Sequence, residues 1–192
     1  AVRMSADGKI IAVSADGDDL DGTGNYGLVY VFERLGISTT FTEIDILTGS
    51  FAVDSNDTFG RSVDMSADGN VIVVGAAGDE FPGESGGGIG YVFRRNGNTY
   101  EEVNYLNLSS SSLLGQSIAC SADGKTVAIG DPNINNGIVH VFDETRETSL
   151  SVDVDGNIGI GSEIPTAKLD VDGTVKATSF SGDGSALTGI SA

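Results

Sequence analysis

The sequence predicts an all-β protein built from β-propeller-like, four-stranded blades. The tetrapeptide Ser-Ala-Asp-Gly occurs three times, with its Asp at positions 7, 68 and 123. A second landmark follows each copy, namely "LVYVFER" at 28–34, "IGYVFRR" at 89–95 and "IVHVFDE" at 138–144. Landmarks in a fixed order at a period of roughly 50–60 residues are typical of repeat architectures. The chain also has 28 Gly, 3 Pro and no Trp, a composition that favours short strands and tight turns.

Each repeat unit contains four short strands in its sequence pattern. In the second unit "RSVDMS" precedes the Asp-Gly pair and "VIVVGA" follows it, and Asp-Gly between two apolar runs predicts a hairpin. The third strand is "GYVFRR", and the fourth is "TYEEVNYLN" at 99–107, matched by "TTFTEIDIL" at 39–47 in the first unit. An antiparallel sheet of this kind is one propeller blade. The predicted blades are residues 1–48, 49–107 and 108–146.

The segment "FGRSVDMSADGNVIVVGAAGDE…GGGIGYVFRR" resembles the FG-GAP repeats of integrin-type β-propellers, and the resemblance extends over residues 1–145. The third unit departs from the pattern, with "LLG" in place of "FG" and "GDPN" in place of "GAAG". Closed propellers have about four to eight blades. We therefore expect further blades, either from the same polypeptide or from other chains. The first unit starts after its own opening "FG", and we expect the sequence to be a fragment of a longer or processed polypeptide.

The FG-GAP resemblance also implies a calcium loop between the second and third strands of a blade. Calcium takes several oxygen ligands from alternating positions of such a loop. The candidate calcium ligands are Asp16, Asp18 and Asp21 in the first unit and Asp131, Asn133 and Asn135 in the third. Because Asp and Asn are also ordinary turn residues, a turn without a metal is the alternative.

After residue 146 the repeat pattern changes. The tail, residues 147–192, contains "NIGIGSEIPTAKLDVDGTVKATSFSGDGSALTGI". It is similar to a segment of phage and virus tail-fibre proteins near their C-terminal trimerising or chaperone domain. The resemblance implies an intertwined trimeric β-stalk, since about forty residues cannot bury a core alone. The residues expected at the trimer axis are Ile158, Ile160, Leu169, Val171, Val175, Phe180 and Leu187. A flexible Gly/Ser linker is the alternative, and both "DVDG" pieces are explained as Asp-Gly turns.

Charge and rare residues limit the function classes. The formal net charge is −18, which disfavours nucleic acid and anionic membranes as partners. No apolar run is long enough to cross a bilayer. The single cysteine, Cys120, stands where Met4 and Met65 stand in the other units, which indicates a core position. The single histidine, His140, aligns with Tyr30 and Tyr91, so we expect a structural role and no enzymatic activity.

These observations predict a structural virion protein, a tail fibre or similar appendage, that acts in assembly and host adhesion. Its partners would be further copies of itself, other virion proteins and a host surface glycan or receptor, and it would be located in the virion or outside the cell. The alternative is a secreted bacterial or algal cell-surface adhesin with calcium-stabilised propeller repeats. A polysaccharide depolymerase would need close carboxylates, and no pair stands out from the turn acids.

Overall fold

The computed structural model describes residues 1–18, 26–36, 39–52, 57–79, 87–108, 113–133, 136–143, 146–162, 165–176 and 178–179. Within these ranges every regular element is a β-strand, and the strands form three sheets that follow one another along the chain. The predicted all-β class is confirmed, and so are four-stranded antiparallel sheets for the first two units, whereas the third sheet has six strands.

The first two sheets are simple four-stranded meanders. The first sheet contains β1 (Val2–Met4), β2 (Ile10–Ala15), β3 (Leu28–Glu33) and β4 (Thr42–Leu47). The second sheet contains β5 (Phe59–Met65), β6 (Val71–Ala76), β7 (Ile89–Asn96) and β8 (Thr99–Asn107). In both, the third and fourth strands shift register at the Val-Phe step of the "YVF" landmark, between Val31 and Phe32 and between Val92 and Phe93.

The third sheet has six strands and includes part of the tail. Its strands are β9 (Ser117–Cys120), β10 (Thr126–Asp131), β11 (Ile138–Asp143), β12 (Arg146–Asp153), β13 (Ile158–Ile160) and β14 (Leu169–Val171). Strand β12 pairs with β11 as the fourth strand of this sheet, and β14 pairs with β13 in parallel. The sheet therefore extends beyond residue 146, where the sequence analysis ended the third blade. Among the described residues, the fourth strand of the third sheet is β12, which lies almost entirely in the tail.

The recurring Ser-Ala-Asp-Gly segment is the turn between the first two strands of each sheet. In the second sheet, Ser66 Oγ accepts a hydrogen bond from the Val71 amide at 3.0 Å and donates one to the Asp68 carboxylate at 2.6 Å. The Gly69 amide donates to the Ser66 carbonyl at 3.0 Å, and Gly69 has a φ of 73°, which side chains disfavour. The hydrogen bond from Ser66 lowers the pKa of Asp68. Equivalent bonds form around Ser5 and Ser121.

The three turns also bond to one another. The Ala6 amide donates to the Ala67 carbonyl at 2.8 Å, and the Ala67 amide donates to the Ala122 carbonyl at 2.9 Å. The first and second turns thus each donate one backbone hydrogen bond to the turn of the following sheet. The recurring Ser-Ala-Asp-Gly segment thus has two structural roles. It closes the hairpin of its own sheet, and it forms a hydrogen bond with the same turn of the neighbouring sheet.

The sheets pack face to face through two apolar clusters. Successive residues of a strand point to opposite faces, so each sheet has a leading face toward the preceding sheet and a trailing face toward the following one. The leading face of the second sheet carries Ile72 and Val74, which are fully buried in a cluster with the first sheet. Its trailing face carries Val71 and Val73, which are buried in a second cluster with the third sheet. Burying such a side chain stabilises the fold by about 1.5–3 kcal/mol.

Candidate functional site

Two Asp residues accept hydrogen bonds from tyrosines where the second strand of a sheet ends. In the first sheet Tyr30 donates its hydroxyl hydrogen to Asp18 Oδ2 at 2.8 Å at an exposed position. In the second sheet Tyr91 donates to the carboxylate of Asp79, and both residues are fully buried. Burial, followed by the bond to Asp79, raises the pKa of Tyr91 far above its usual range. Tyr91 therefore stays protonated and donates to a buried carboxylate. Sequence analysis did not identify these pairs, although Asp lies twelve residues before Tyr in both units.

The third sheet places a histidine at the tyrosine position. His140 pairs with Ile129 in the β10–β11 register, as Tyr91 pairs with Val74 in the second sheet. The side chain of His140 is fully buried, and among the described residues neither ring nitrogen has a hydrogen-bond partner. Burial lowers the pKa of His140, and the nearby Asp131 carboxylate acts in the opposite direction. The position therefore favours a neutral aromatic ring.

Two of the predicted calcium ligands of the first unit lie in the described structure. Asp16 forms an ion pair with Arg61, with 3.7 Å between the carboxylate and guanidinium atoms, and Asp18 accepts the Tyr30 hydroxyl. Asp21 lies outside the described residues.

Two of the three predicted calcium ligands of the third unit, Asp131 and Asn133, also lie in the described structure. Asp131 is fully buried, and its Oδ1 accepts the Asn133 amide at 3.2 Å, while Asn135 lies outside the described residues. In the part of the chain that the structure describes, no three His, Cys, Asp or Glu residues are grouped as a metal site requires. Calcium binding stays a prediction.

The first "DVDG" segment also forms an Asp-Gly turn, but one that closes one residue earlier than Ser-Ala-Asp-Gly, with the Asp153 amide donating to the Asn157 carbonyl at 3.1 Å. Asp153 Oδ1 accepts the amides of Asp155 at 3.0 Å and Asn157 at 2.8 Å, and the Gly156 amide donates to the Asp153 carbonyl at 3.0 Å. Asp153 thus replaces the serine of the other turns. These bonds, led by the one from Asn157, lower the pKa of Asp153.

Cys120 is half-buried at the position of Met4 and Met65. Burial, followed by the negative charge of Asp64, raises the pKa of its thiol to about 11. The Cys120 amide donates to Asp64 Oδ2 at 2.8 Å. Because the thiolate is the nucleophilic form, this environment opposes a catalytic role.

Two residues predicted for the trimer axis, Ile158 and Leu169, form an exposed apolar row on the third sheet together with Val152, which was not predicted. Val152 faces Ile158, and Ile158 faces Leu169, across three adjacent strands. Their relative exposures are 38%, 39% and 57%, which is high for large apolar side chains in a sheet. The other predicted axis residues are placed as follows: Ile160 and Val175 are exposed, Val171 is half-buried, and Phe180 and Leu187 lie outside the described residues.

A protein-family comparison supports the repeat assignment. The model of the family described as FG-GAP repeat matches residues 47–93, which include β5, β6 and the first part of β7 in the second sheet. This confirms the predicted resemblance to FG-GAP repeats for that segment. No curated protein sequence matches the chain. Among the described residues, no helix has the length and apolar character of a membrane span.

Three solved structures show distant similarity. Hydrazine synthase of Kuenenia stuttgartiensis is 16% identical with a TM-score of 0.46, and the match covers 83% of this chain and 40% of that one. TolB from Acinetobacter baumannii is 12% identical with a TM-score of 0.45, covering 83% and 39%. The C-terminal WD40 domain of Sif2 is 14% identical with a TM-score of 0.42, covering 88% and 58%. The chain thus spans less than two thirds of each of these structures.

Proposed function

We propose that the chain is part of a fibrous adhesion protein of a virion, a tail fibre or similar appendage that assembles as a homotrimer. The observation that carries this proposal is the apolar row of Val152, Ile158 and Leu169. An exposed row of this kind at the edge of a sheet supports burial against another chain. The tail sequence is similar to tail-fibre segments, and this resemblance implies a trimer. We therefore infer that the chains covering the row are two further copies of this chain.

In this proposal the blades act as a rigid, non-enzymatic head that presents loops to a host surface glycan or to neighbouring virion proteins. The carboxylates at the strand ends, such as Asp16 and Asp18, would give these loops a polar and acidic surface. A net charge of −18 supports a soluble extracellular object and disfavours nucleic acid as a partner.

Native mass spectrometry of the full chain tests the trimer. The shortened chain for comparison ends at residue 157, because a cut at 146 would remove β12 and damage the third sheet. The point variant Ile160→Asp places a charge on the exposed tail strand, and Val103→Asp is its control because Val103 is exposed on the second sheet. We expect a trimer for the full chain and V103D, and a monomer for the shortened chain and I160D. A monomeric full chain at high concentration contradicts the proposal.

The second candidate is a secreted cell-surface adhesin with calcium-stabilised repeats. The FG-GAP match over residues 47–93 favours it, as do the acids at the ends of β2 and β10. This candidate predicts that millimolar Ca²⁺, but not Mg²⁺, raises the melting temperature of a monomeric chain. The Asp18→Asn variant is expected to weaken that response, whereas the fibre proposal requires no calcium effect.

A further inference from the structure

Two Asn-Gly pairs occur in the sequence, Asn96–Gly97 and Asn136–Gly137. In such a pair the asparagine side chain reaches the next backbone amide, and glycine has no Cβ to hinder their approach. Asn-Gly is therefore the dipeptide at which asparagine reacts most readily with its own backbone. In the structure Asn96 is the last residue of β7, whereas Gly137 directly precedes β11. The surroundings of the two pairs differ, although their sequences are the same.

Asn96 is held firmly in the hairpin between β7 and β8. It pairs with Thr99 in the strand register, and its carbonyl accepts the Thr99 hydroxyl at 3.1 Å. Its carboxamide nitrogen donates to Glu101 Oε1 at 2.7 Å. The Arg95 guanidinium donates to the Gly97 carbonyl at 2.8 Å, so both residues of the pair are anchored. A reaction between the Asn96 carboxamide and the Gly97 amide would have to break these contacts.

Asn136 lacks such anchors. It is exposed and lies outside the strands, and within the described ranges its carboxamide makes no hydrogen bond. Its φ of 69° places the backbone in the left-handed region, which residues other than glycine adopt at an energetic cost. The folded chain therefore loses little when Asn136 changes its conformation.

The backbone at Gly137 has room to move. Among the described atoms, only Val154 Cγ1 would lie within 4 Å of a Cβ at Gly137, at 3.5 Å. Gly88 directly precedes β7, as Gly137 directly precedes β11, but a Cβ on Gly88 would lie 2.1 Å from the Leu114 carbonyl oxygen. The entry to the third strand is thus fixed by close backbone packing in the second sheet and is free of it in the third.

We propose that Asn136 is a site of spontaneous deamidation, and that the hairpin protects Asn96 from the same reaction. The Gly137 amide nitrogen attacks Cγ of the Asn136 carboxamide and forms a new carbon–nitrogen bond. The amide proton departs with the carboxamide NH₂ group as ammonia, which leaves a five-membered succinimide. One water molecule then opens this ring. Opening at one carbonyl gives Asp, and opening at the other gives isoaspartate, in which the backbone runs through the side chain.

The reaction changes both charge and backbone directly before a buried strand residue. It adds a negative charge to a chain whose formal net charge is already −18. Isoaspartate also lengthens the backbone by a methylene group next to Ile138, which is 2% exposed. Ile138 pairs with Asp131 on β10 and with Asp153 on β12, so we expect the modified chain to be loosened at this end of the third sheet. The inference does not depend on the fibre function.

Peptide mapping of the full chain tests this selectivity. The folded chain, and the same chain unfolded in guanidinium chloride, are kept at pH 8 and sampled over several days. Trypsin cleaves after Arg95, Lys125 and Arg146, which separates the two pairs into peptides 96–125 and 126–146. Electron-transfer fragmentation locates Asp and isoaspartate in each peptide, and the unaged sample corrects for deamidation during digestion.

We expect both pairs to react at similar rates in the unfolded chain, where local sequence alone controls the reaction. In the folded chain we expect Asn136 to react at least about tenfold faster than Asn96, because reaction at Asn96 must break a hydrogen bond to a charged acceptor. A smaller difference in the folded chain, or faster reaction at Asn96, would overturn the proposal.

Two variants test the physical cause. Glu101→Ala removes the acceptor of the Asn96 carboxamide, so we expect reaction at Asn96 to become at least about threefold faster and reaction at Asn136 to stay unchanged. Asn136→Gln keeps a carboxamide but would need a larger ring, so we expect no product at that position. Circular dichroism melting curves confirm that both variants are folded. An unchanged rate at Asn96 in E101A would refute the protection that we assign to the hairpin.

Discussion

The hydroxyl of Tyr91 links two parts of the chain, because it donates to the buried carboxylate of Asp79 and accepts the Phe51 amide at 3.3 Å. Phe51 belongs to the connection between the first and second sheets, while Asp79 lies in the connection between β6 and β7 of the second sheet. A Cβ on Gly49 would lie 2.5 Å from the Tyr91 ring. This hydroxyl therefore fixes the path of the connecting segment against the core.

We expect Tyr91→Phe to lower the free energy of unfolding by about 2 kcal/mol, because the mutation removes a donor to a buried carboxylate. The matched control is Tyr30→Phe, which removes the equivalent bond to Asp18 at an exposed site and is expected to cost much less than Tyr91→Phe. Urea unfolding of both variants measures the difference. Equal losses would mean that the buried pair contributes no more than the exposed one.

Gly88→Ala tests the close contact between sheets. The new Cβ would lie 2.1 Å from the Leu114 carbonyl oxygen, so we expect a loss of more than about 3 kcal/mol. Gly97→Ala is the control, because Gly97 also has a positive φ, 64°, while a Cβ there would have no described atom within 4 Å. Its expected cost is about 1 kcal/mol from backbone conformation alone. Similar melting temperatures for the two variants would contradict the contact.

Because His140 is buried and its pKa is lowered, we expect the protein to lose stability in mild acid. Its folded pKa lies below the unfolded value of 6.5, so between these two values the unfolded chain binds a proton that the folded chain does not. The contribution of neutral His140 to the free energy of unfolding is therefore fully present well above pH 6.5, and it is lost as the pH falls below that value. Urea unfolding at pH 7.5 and 5.5 measures this decline.

The variant His140→Phe removes the titrating group and keeps an aromatic ring at the position. We expect the wild type to lose more stability than H140F between these two pH values, by at most about 1.4 kcal/mol. Equal losses would show that the buried histidine does not titrate differently in the folded chain.

Because the pKa of the Cys120 thiol is raised, we expect this thiol to be alkylated slowly in the folded chain. With a pKa raised to about 11 by burial, the thiolate fraction at pH 8 is about a hundredfold lower than at the reference pKa of 9.0. We expect iodoacetamide to react at least about a hundredfold more slowly with folded than with urea-unfolded protein, as followed by mass spectrometry. Equal rates would indicate an accessible, reactive thiol.

The sequence alone determined the strands and the turns of this protein, because both depend on neighbouring residues. Asp-Gly between apolar runs fixes a hairpin locally, and the alternation around Tyr91 defines a strand without reference to its partners. The repeat of these local patterns was sufficient to predict four-stranded sheets, and the roles of Ser5, Ser66 and Ser121 follow from one motif.

Only the tertiary structure decided which strand completes the third sheet and which face remains open. The segment Arg146–Asp153 has a strand pattern, but its pairing with β11 depends on a partner that local sequence does not specify. The exposure of Val139 and the burial of Val71, which have similar side chains, likewise depend on whether another sheet covers them. Burial is a property of neighbours in space, so it appears only when the sheets are packed together.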